Sequence, residues 1–402
     1  MQQVLRANDF NKKVLVAGAG IGGLTAAACL LQAGYDVEIY EAASELAEIG
    51  AGIQISANAA KVLHHLGLAE ELEKVSVRPK ALEFRLYSNA ELLHEVPLSK
   101  RHTEQYGAPY YHIHRADLHT LLMKKVLSLR PNCIFLNARA VGFKELDTQV
   151  QLQLADGRMV NGDLLIGADG VRSEIRKQIV GDAQAKFTGY SAWRATIPVE
   201  RLPVNFMDRV ATLWCGPERH VVMYYLCAGK LLNFVGIVES EDWQEESWVS
   251  KSSWQELKKD FAGWHRDIQT AIDLIDKNEC YRWALNVRET ASKWSIARAT
   301  LLGDSAHATL PFMAQGAAMA IEDAMILTRS LVSCTDIDVA LDVYQRNRMA
   351  RTTKIVQGSA ESGQLYHLAT AEEFQAGFAK RNMAKELSSW VYSYDPLVAP
   401  LV

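Results

Sequence analysis

The apolar positions near the start of the chain change period within a few residues. Residues 13–17 (KVLVA) are almost continuously apolar, which fits a short strand buried on both faces. Residues 22–33 carry small and apolar side chains over a helical length, and Gly34 can end that helix. Residues 36–40 read as a second strand. Strand, helix and strand of these lengths make a βαβ opening, which implies a parallel sheet. Helical patterns follow at 59–66, 68–75 and, strongly amphipathic, 116–127, with strand patterns at 81–87 and 134–136. Residues 149–154 and 159–166 read as two strands joined by the turn Asp156-Gly157.

The pattern changes over residues 189–283. This stretch is rich in Trp, Tyr and β-branched residues, with apolar runs at 221–226 and 231–237, and it predicts an inserted antiparallel sheet. Residues 300–302 are a further buried strand, leading through a glycine-containing stretch into a helix over 317–331. Residues 341–391 are mostly helical in pattern. No internal repeat or long linker is visible, so the domains are expected to interleave.

A chain of 402 residues suggests about two domains. Its 49% hydrophobic and 22% charged content is that of an ordinary soluble protein and excludes a disordered tail, a collagen, a disulfide mini-protein and a polytopic membrane protein. A formal charge of −4 leaves no electrostatic footprint for nucleic acid. The six cysteines are scattered, with no C-x-x-C pair and no zinc spacing, and read as thiols in a reducing compartment. Residues 1–13 lack an apolar h-region, so no signal peptide is expected, and a cytoplasmic location is. Residues 14–31 approach the length of a membrane span, but Gly18, Gly20, Gly22 and Gly23 are poor in a free-standing helix. The run reads instead as strand, glycine turn and helix, and no membrane span is expected.

That turn, Gly18-Ala19-Gly20-Ile21-Gly22-Gly23, is a G-x-G-x-x-G placed between a strand and a helix. Gly18 allows the tight turn, Gly20 lets a pyrophosphate approach the backbone, and Gly23 allows close helix–strand packing. Glu41, at the end of the next strand, can accept hydrogen bonds from an adenosine ribose. The alternative is a structural turn beside a solvated Glu41. A second signature runs from Asp163 into Asp169-Gly170, followed by Arg172, Ser173 and Arg176. A third comprises Gly303-Asp304-Ser305-Ala306-His307, Pro311 and Gln315-Gly316-Ala317. Asp304 can bind a ribityl hydroxyl, and the helix start near Gly316 can stabilise negative charge on a flavin. For each of the two, the alternative is an ordinary strand-to-loop turn with a capping Asp.

In this order and spacing the three motifs resemble the single-component FAD-dependent aromatic hydroxylases, the family of p-hydroxybenzoate and salicylate hydroxylase, over nearly the whole chain. Residues 50–58 match the loop after the family's second strand, with Ala57 where Pro is usual, and 114–119 match its H-R-x-D-L-H stretch. The resemblance implies an α/β fold: a Rossmann-type, glutathione-reductase-like FAD-binding domain (1–82, 108–188 and 284–365), an inserted antiparallel substrate domain (83–107 and 189–283) and a helical tail (366–402). It implies FAD held by Gly18, Gly20, Gly22, Gly23, Glu41, Ala42, Arg115, Ala140, Asp169, Asp304, Gly316 and Ala317. It further implies NADH or NADPH as transient co-substrate, O2, a C4a-hydroperoxyflavin as oxygen donor, and a monomer or homodimer acting on a small aromatic substrate. One G-x-G-x-x-G and no second fingerprint argue against a dedicated nicotinamide domain.

Such chemistry calls for water exclusion, a placed ring and a base for the ring hydroxyl. Among eleven histidines, His220 is the candidate base. It begins a strand of the inserted segment, and Tyr224, four residues on, falls on the same face. The stretch resembles the His-x-x-x-Tyr of the salicylate, 3-hydroxybenzoate and 6-hydroxynicotinate hydroxylases. The alternative is a sheet His and Tyr satisfied by their neighbours. Gln54, Tyr225, Pro311, Phe312 and Met313 are expected substrate contacts, Gln54 alternatively being a solvated loop amide. His307 is expected to support its loop, and His112, His114 and His119 to pack or cap. Trp193-Arg194-Ala195-Thr196-Ile197-Pro198 falls one Trp short of a flavin-halogenase motif, which ranks halogenation low. Hydroxylation of a hydroxylated aromatic or heteroaromatic carboxylate leads, with decarboxylation if oxygen lands on the carboxyl-bearing carbon. Another flavin oxidoreductase and a non-enzymatic FAD-binding redox regulator remain as alternatives.

Overall fold

The structure, a computed structural model, describes residues 12–46, 52–181, 185–240, 252–381 and 390–402. Residues 1–11 of the opening, Gly50 and Ala51 of the matched loop, and 382–389 of the expected helical tail lie outside the described residues.

The opening βαβ unit is strand Lys13–Ala17, helix Ile21–Ala33 and strand Asp36–Tyr40. The helix is apolar nearly all round and is buried nearly all round, as such a helix must be. Gly34 ends it with φ +97°, its N–H reaching the carbonyls of Leu30 and Leu31. These strands centre a six-stranded sheet in the order Ser295–Ile296, Ala299–Leu301, Leu164–Gly167, Lys13–Ala17, Asp36–Tyr40, Ile134–Phe135. All its pairs are parallel except the first. Helices Ile21–Ala33, Arg115–Leu129 and Gly316–Ser333 pack with it into the largest apolar core.

The single strand expected over 159–166 divides in two. Met159–Gly162 pairs with Val150–Leu154 in a small separate sheet, whereas Leu164–Gly167 joins the parallel sheet. The break is at Asp163, whose N–H donates to the Lys13 carbonyl and whose Oδ2 accepts the Lys13 N–H at 2.7 Å. Those bonds start the pairing with Lys13–Ala17 and end the hairpin.

The inserted segment builds a seven-stranded sheet ordered Tyr281–Val287, Lys186–Pro198, Leu231–Glu239, Arg219–Leu226, Ala211–Gly216, Ala81–Leu86, Leu92–Pro97. It is antiparallel as expected except where Ala211–Gly216 runs parallel to Ala81–Leu86. The period of two divides its side chains cleanly. Trp193, Val221, Met223, Phe234 and Val238 face helices Trp254–Asp260 and Arg266–Leu274, where Leu257, Phe261 and Ile272 close an apolar core. At roughly 1.5–3 kcal/mol per buried large apolar side chain, this second layer is what holds the sheet. The other face, carrying Ala192, Arg194, His220, Val222 and Tyr224, looks onto a cavity. Among the described residues no helix is long and apolar enough to cross a membrane.

Candidate active site

At one end of the cavity lies the glycine turn. Gly18 has φ +102°, and a Cβ there would sit 2.4 Å from the Ala168 carbonyl oxygen. A Cβ on Gly23 would sit 2.1 Å from the Gly18 oxygen, so both positions are closed to any side chain. Gly22 is nearly as tight, against Leu302. Gly20 is different: nothing lies within 4 Å of its Cβ position, and it caps helix Ile21–Ala33 with no side chain on the cap and no acid in the first turn. A helix start with bare N–H groups facing open space fits a pyrophosphate. Glu41 stands at the strand tip, its two carboxylate oxygens accepting the Ala19 and Ala43 N–H groups at 2.7 and 2.9 Å. Ala42 beside it is exposed.

Arg115, first residue of its helix, lines the same cavity, as do Asp304, Gly316 and Ala317. Gly316–Ser333 has no acid in its first turn, so its start is free to stabilise an anionic flavin edge. Gly20 and Gly22, Arg115, and Asp304 with Gly316 and Ala317 come from three distant stretches and line one space, and they fit FAD; Glu41 and Ala42 stand outside that lining.

Asp169 and Ala140 also lie outside the cavity lining. The Asp169 carboxylate turns away from the cavity to the start of helix Glu174–Val180, where Oδ2 accepts the Glu174 and Ile175 N–H groups at 2.9 and 3.3 Å. Oδ2 thus caps that helix, while Oδ1 is buried with no partner among the described residues, and the cavity is lined by Ala168, Gly170 and Val171 around it. Ala140 begins a strand of the three-stranded sheet, outside the cavity lining.

The loop bearing Asp304 is fixed by buried charge. His307 Nε2 lies 2.6 Å from Asp323 Oδ2, which also accepts the Gly303 N–H. Arg348 bridges Asp323 and Glu322 at 2.7 Å each, and Arg351 completes the cluster. Burial alone would raise both carboxyl pKa values, but the facing Arg and His groups hold them below the usual range. Asn58 and Gln315 extend the network to the start of Gly316–Ser333. His307 is thus a supporting group, as its position suggested.

The remainder of the cavity, about 360 Å³ in all, is mostly apolar. On the sheet face the register stacks two rows: His220 beside Ile237, which pairs with Ala192, and Val222 beside Val235, which pairs with Arg194. The Arg194 guanidinium lies 4.6 Å from the Trp283 ring centroid. Tyr224 follows toward the floor, its ring 4.5 Å from that of His112, and it engages Gln54. Gln54 also accepts the Tyr110 hydroxyl at 2.6 Å, so it is a cavity group and not a solvated loop amide. Pro311–Met313 form one short turn whose Phe312 edge meets the His220 ring at 5.0 Å.

Tyr225 is a correction. It lies on the other face of the sheet, and its hydroxyl donates to the Met207 carbonyl at 3.0 Å. The strand period that brings His220 and Tyr224 to the cavity sends Tyr225 away from it. His220 is buried, and burial with the adjacent His367 holds its pKa well below that of a free imidazole. Its Nδ1 lies 2.8 Å from His367 Nε2, which makes Nε2 the ring nitrogen available to the cavity. Sequence reasoning missed Arg194, Trp283, Tyr110 and His367. Strand alternation from Ala192 was a usable signal for Arg194; nothing local pointed to His367.

A sequence family described as an FAD binding domain matches residues 11–359. The chain is 37% identical to the 3-hydroxybenzoate 6-hydroxylase of Polaromonas naphthalenivorans over 96% of its own length and 97% of the relative's. It is 35% identical to the 3-amino-4-hydroxybenzoate 2-monooxygenase PtmB3 of Streptomyces platensis, covering 95% and 96% of the two chains. Among solved structures, Klebsiella pneumoniae HpxO complexed with FAD and uric acid superposes with a TM-score of 0.83 at 25% identity, covering 98% and 99%. The chain belongs to this FAD-binding family, that of the single-component FAD-dependent aromatic hydroxylases.

Proposed function

We propose that the protein is an FAD-dependent monooxygenase that uses NADH and O2 to hydroxylate a small aromatic or heteroaromatic ring bearing both a hydroxyl and a carboxylate. The observation that carries the reading is one cavity that opens on the glycine-lined crevice and holds a buried neutral His220 and a cationic Arg194 on the same sheet face. The substrates named for the relatives, 3-hydroxybenzoate and 3-amino-4-hydroxybenzoate, carry both groups.

Bound flavin, once reduced by the nicotinamide, supplies activated oxygen, one atom for the ring and one for water. The chain supplies the rest. His220 Nε2 accepts the ring hydroxyl proton, making the ring electron-rich. Arg194 pairs with the carboxylate, and its stacking on Trp283 fixes the direction of that charge. Leu213, Val222, Val235 and Phe312 exclude water.

The test is NADH oxidation by the FAD-loaded protein with 3-hydroxybenzoate, 6-hydroxynicotinate and salicylate. Stimulated oxidation with a matching yield of hydroxylated product supports the reading; no stimulation by any phenolic or heteroaromatic acid refutes it. His220→Ala is expected to cut product formation roughly 10²-fold or more while FAD stays bound.

A further inference from the structure

His220 is sealed from solvent, so a proton it receives needs a way out. We propose that His367 and Glu239 form a relay that carries the ring proton from His220 to the surface. The inference rests on the reading of His220 as the base.

The relay is visible as a continuous chain. His220 Nδ1 lies 2.8 Å from His367 Nε2, and His367 Nδ1 lies 2.7 Å from Glu239 Oε1. His220 is buried; His367 is half-buried as a residue but has only 4% of its side chain exposed, whereas the Glu239 side chain is 46% exposed. One end therefore touches the cavity and the other touches water. The three residues come from separate elements. His220 lies on strand Arg219–Leu226, Glu239 ends strand Leu231–Glu239, and His367 caps helix Ile337–Tyr366. Around His220 stand Phe312, Tyr366 and, across the strand pair, Cys215. Around His367 stand Tyr190, Arg219 and Glu218. Burial, with Arg219, opposes a lasting charge on His367 and outweighs Glu239 and Glu218, which favour one, so the proton passes through His367 and does not rest there.

The proton count closes. The ring O–H breaks as His220 gains Nε2–H. His220 gives its Nδ1 proton to His367 Nε2, His367 gives its Nδ1 proton to Glu239, and Glu239 gives it to water. No electrons move, and the sum is a ring anion in the cavity and one proton in solvent. The same transfers reversed return a proton to the departing product. His367 and Glu239 act through His220 and are positioning residues.

The test mixes the FAD-loaded enzyme with 3-hydroxybenzoate in the absence of NADH. It follows phenolate absorbance of the bound ring and proton release to an indicator dye in weakly buffered solution. The unaltered enzyme is expected to show both at one rate. His367→Ala and Glu239→Gln are expected to bind the probe with unchanged affinity and release the proton at least tenfold more slowly. Added imidazole is expected to restore the rate in His367→Ala, which a structural defect would not allow. Glu239→Gln alters an exposed side chain and leaves the core intact, so it stands if His367→Ala does not fold. Unaltered release in either folded variant overturns the relay alone. Failure of the unaltered enzyme to form any bound phenolate overturns the assignment of His220 and the relay with it.

Discussion

Tyr224 and Tyr225 are adjacent in the chain and stand on opposite faces of one sheet, the first over the His112 ring in the cavity and the second bonded to the Met207 carbonyl in the outer core. Their phenol groups should therefore separate function from stability. Tyr225→Phe is expected to cost about 1 kcal/mol of stability, the worth of one hydrogen bond, and to leave turnover within twofold. Tyr224→Phe should raise KM for a hydroxybenzoate about tenfold, a loss of roughly 1.4 kcal/mol. Urea melts and steady-state kinetics on the two variants decide the assignment; equal kinetic effects would contradict it.

The glycines of the turn should part in the same way. Gly23→Ala forces a methyl into the Gly18 carbonyl and is expected to cost more than about 3 kcal/mol, leaving little folded protein. Gly20 has an extended φ of −70° and open space, so Gly20→Ala should fold with an unchanged melting temperature when free of FAD. Its FAD affinity should drop about tenfold, because a methyl then stands where the pyrophosphate approaches. Fluorescence titration of FAD reads the second effect. Tight binding by Gly20→Ala would move the pyrophosphate away from this helix start.

Arg194 gives a prediction about substrate charge. Arg194→Met should raise KM for a carboxylate-bearing phenol about 10²-fold, near 2.7 kcal/mol, as expected when a charge-assisted bond is lost. Flavin-coupled NADH oxidation with a phenol lacking the carboxylate should change little. Lysine is not expected to restore binding, since it lacks the planar group that stacks on Trp283. A uniform loss on both phenols would assign Arg194 to packing.

Stability should fall in mild acid. Burial pushes the His112 pKa down to about 3, and burial with the nearby Lys61 lowers that of His102 to about 4. Unfolded, both titrate near 6.5. Between those limits the unfolded chain binds more protons, so the stability held by the neutral rings is complete above about 6.5 and is lost as pH falls toward 3–4. Each ring contributes up to about 1.4 kcal/mol per pH unit in that window. Denaturant melts at pH 7, 6 and 5 should show the decline, and His112→Phe should make it shallower. An unchanged slope in that variant would place the acid sensitivity elsewhere.

Local chemistry was legible in the sequence, and long-range convergence was not. The first βαβ unit could be bounded because a strand, a glycine turn and Gly34 each leave a mark within a few residues. His220 and Tyr224 pair by strand period together with the resemblance to the family's His-x-x-x-Tyr. That same period sends Tyr225, expected as a substrate contact, to the opposite face. At Asp169 a carboxylate after a strand can serve a cofactor or a helix start, and the bonds from the Glu174 and Ile175 N–H groups that make Oδ2 a cap are not visible in the sequence. The break at Asp163 depends on bonds to Lys13, 150 positions away, and His367 meets His220 across 147. Separations of that size leave no periodic trace.

The two-faced sheet also bears on how such a protein can change. Side chains at Ala192, Leu213, Val222 and Val235 meet the cavity, while the intervening Trp193, Trp214, Val221 and Phe234 bind the sheet to its helices. Exchanging a residue of the first set reshapes the chamber without loosening the second. Substrate range and fold maintenance are thereby written on alternate letters of the same strands, and the lineage can drift toward new rings at small structural risk.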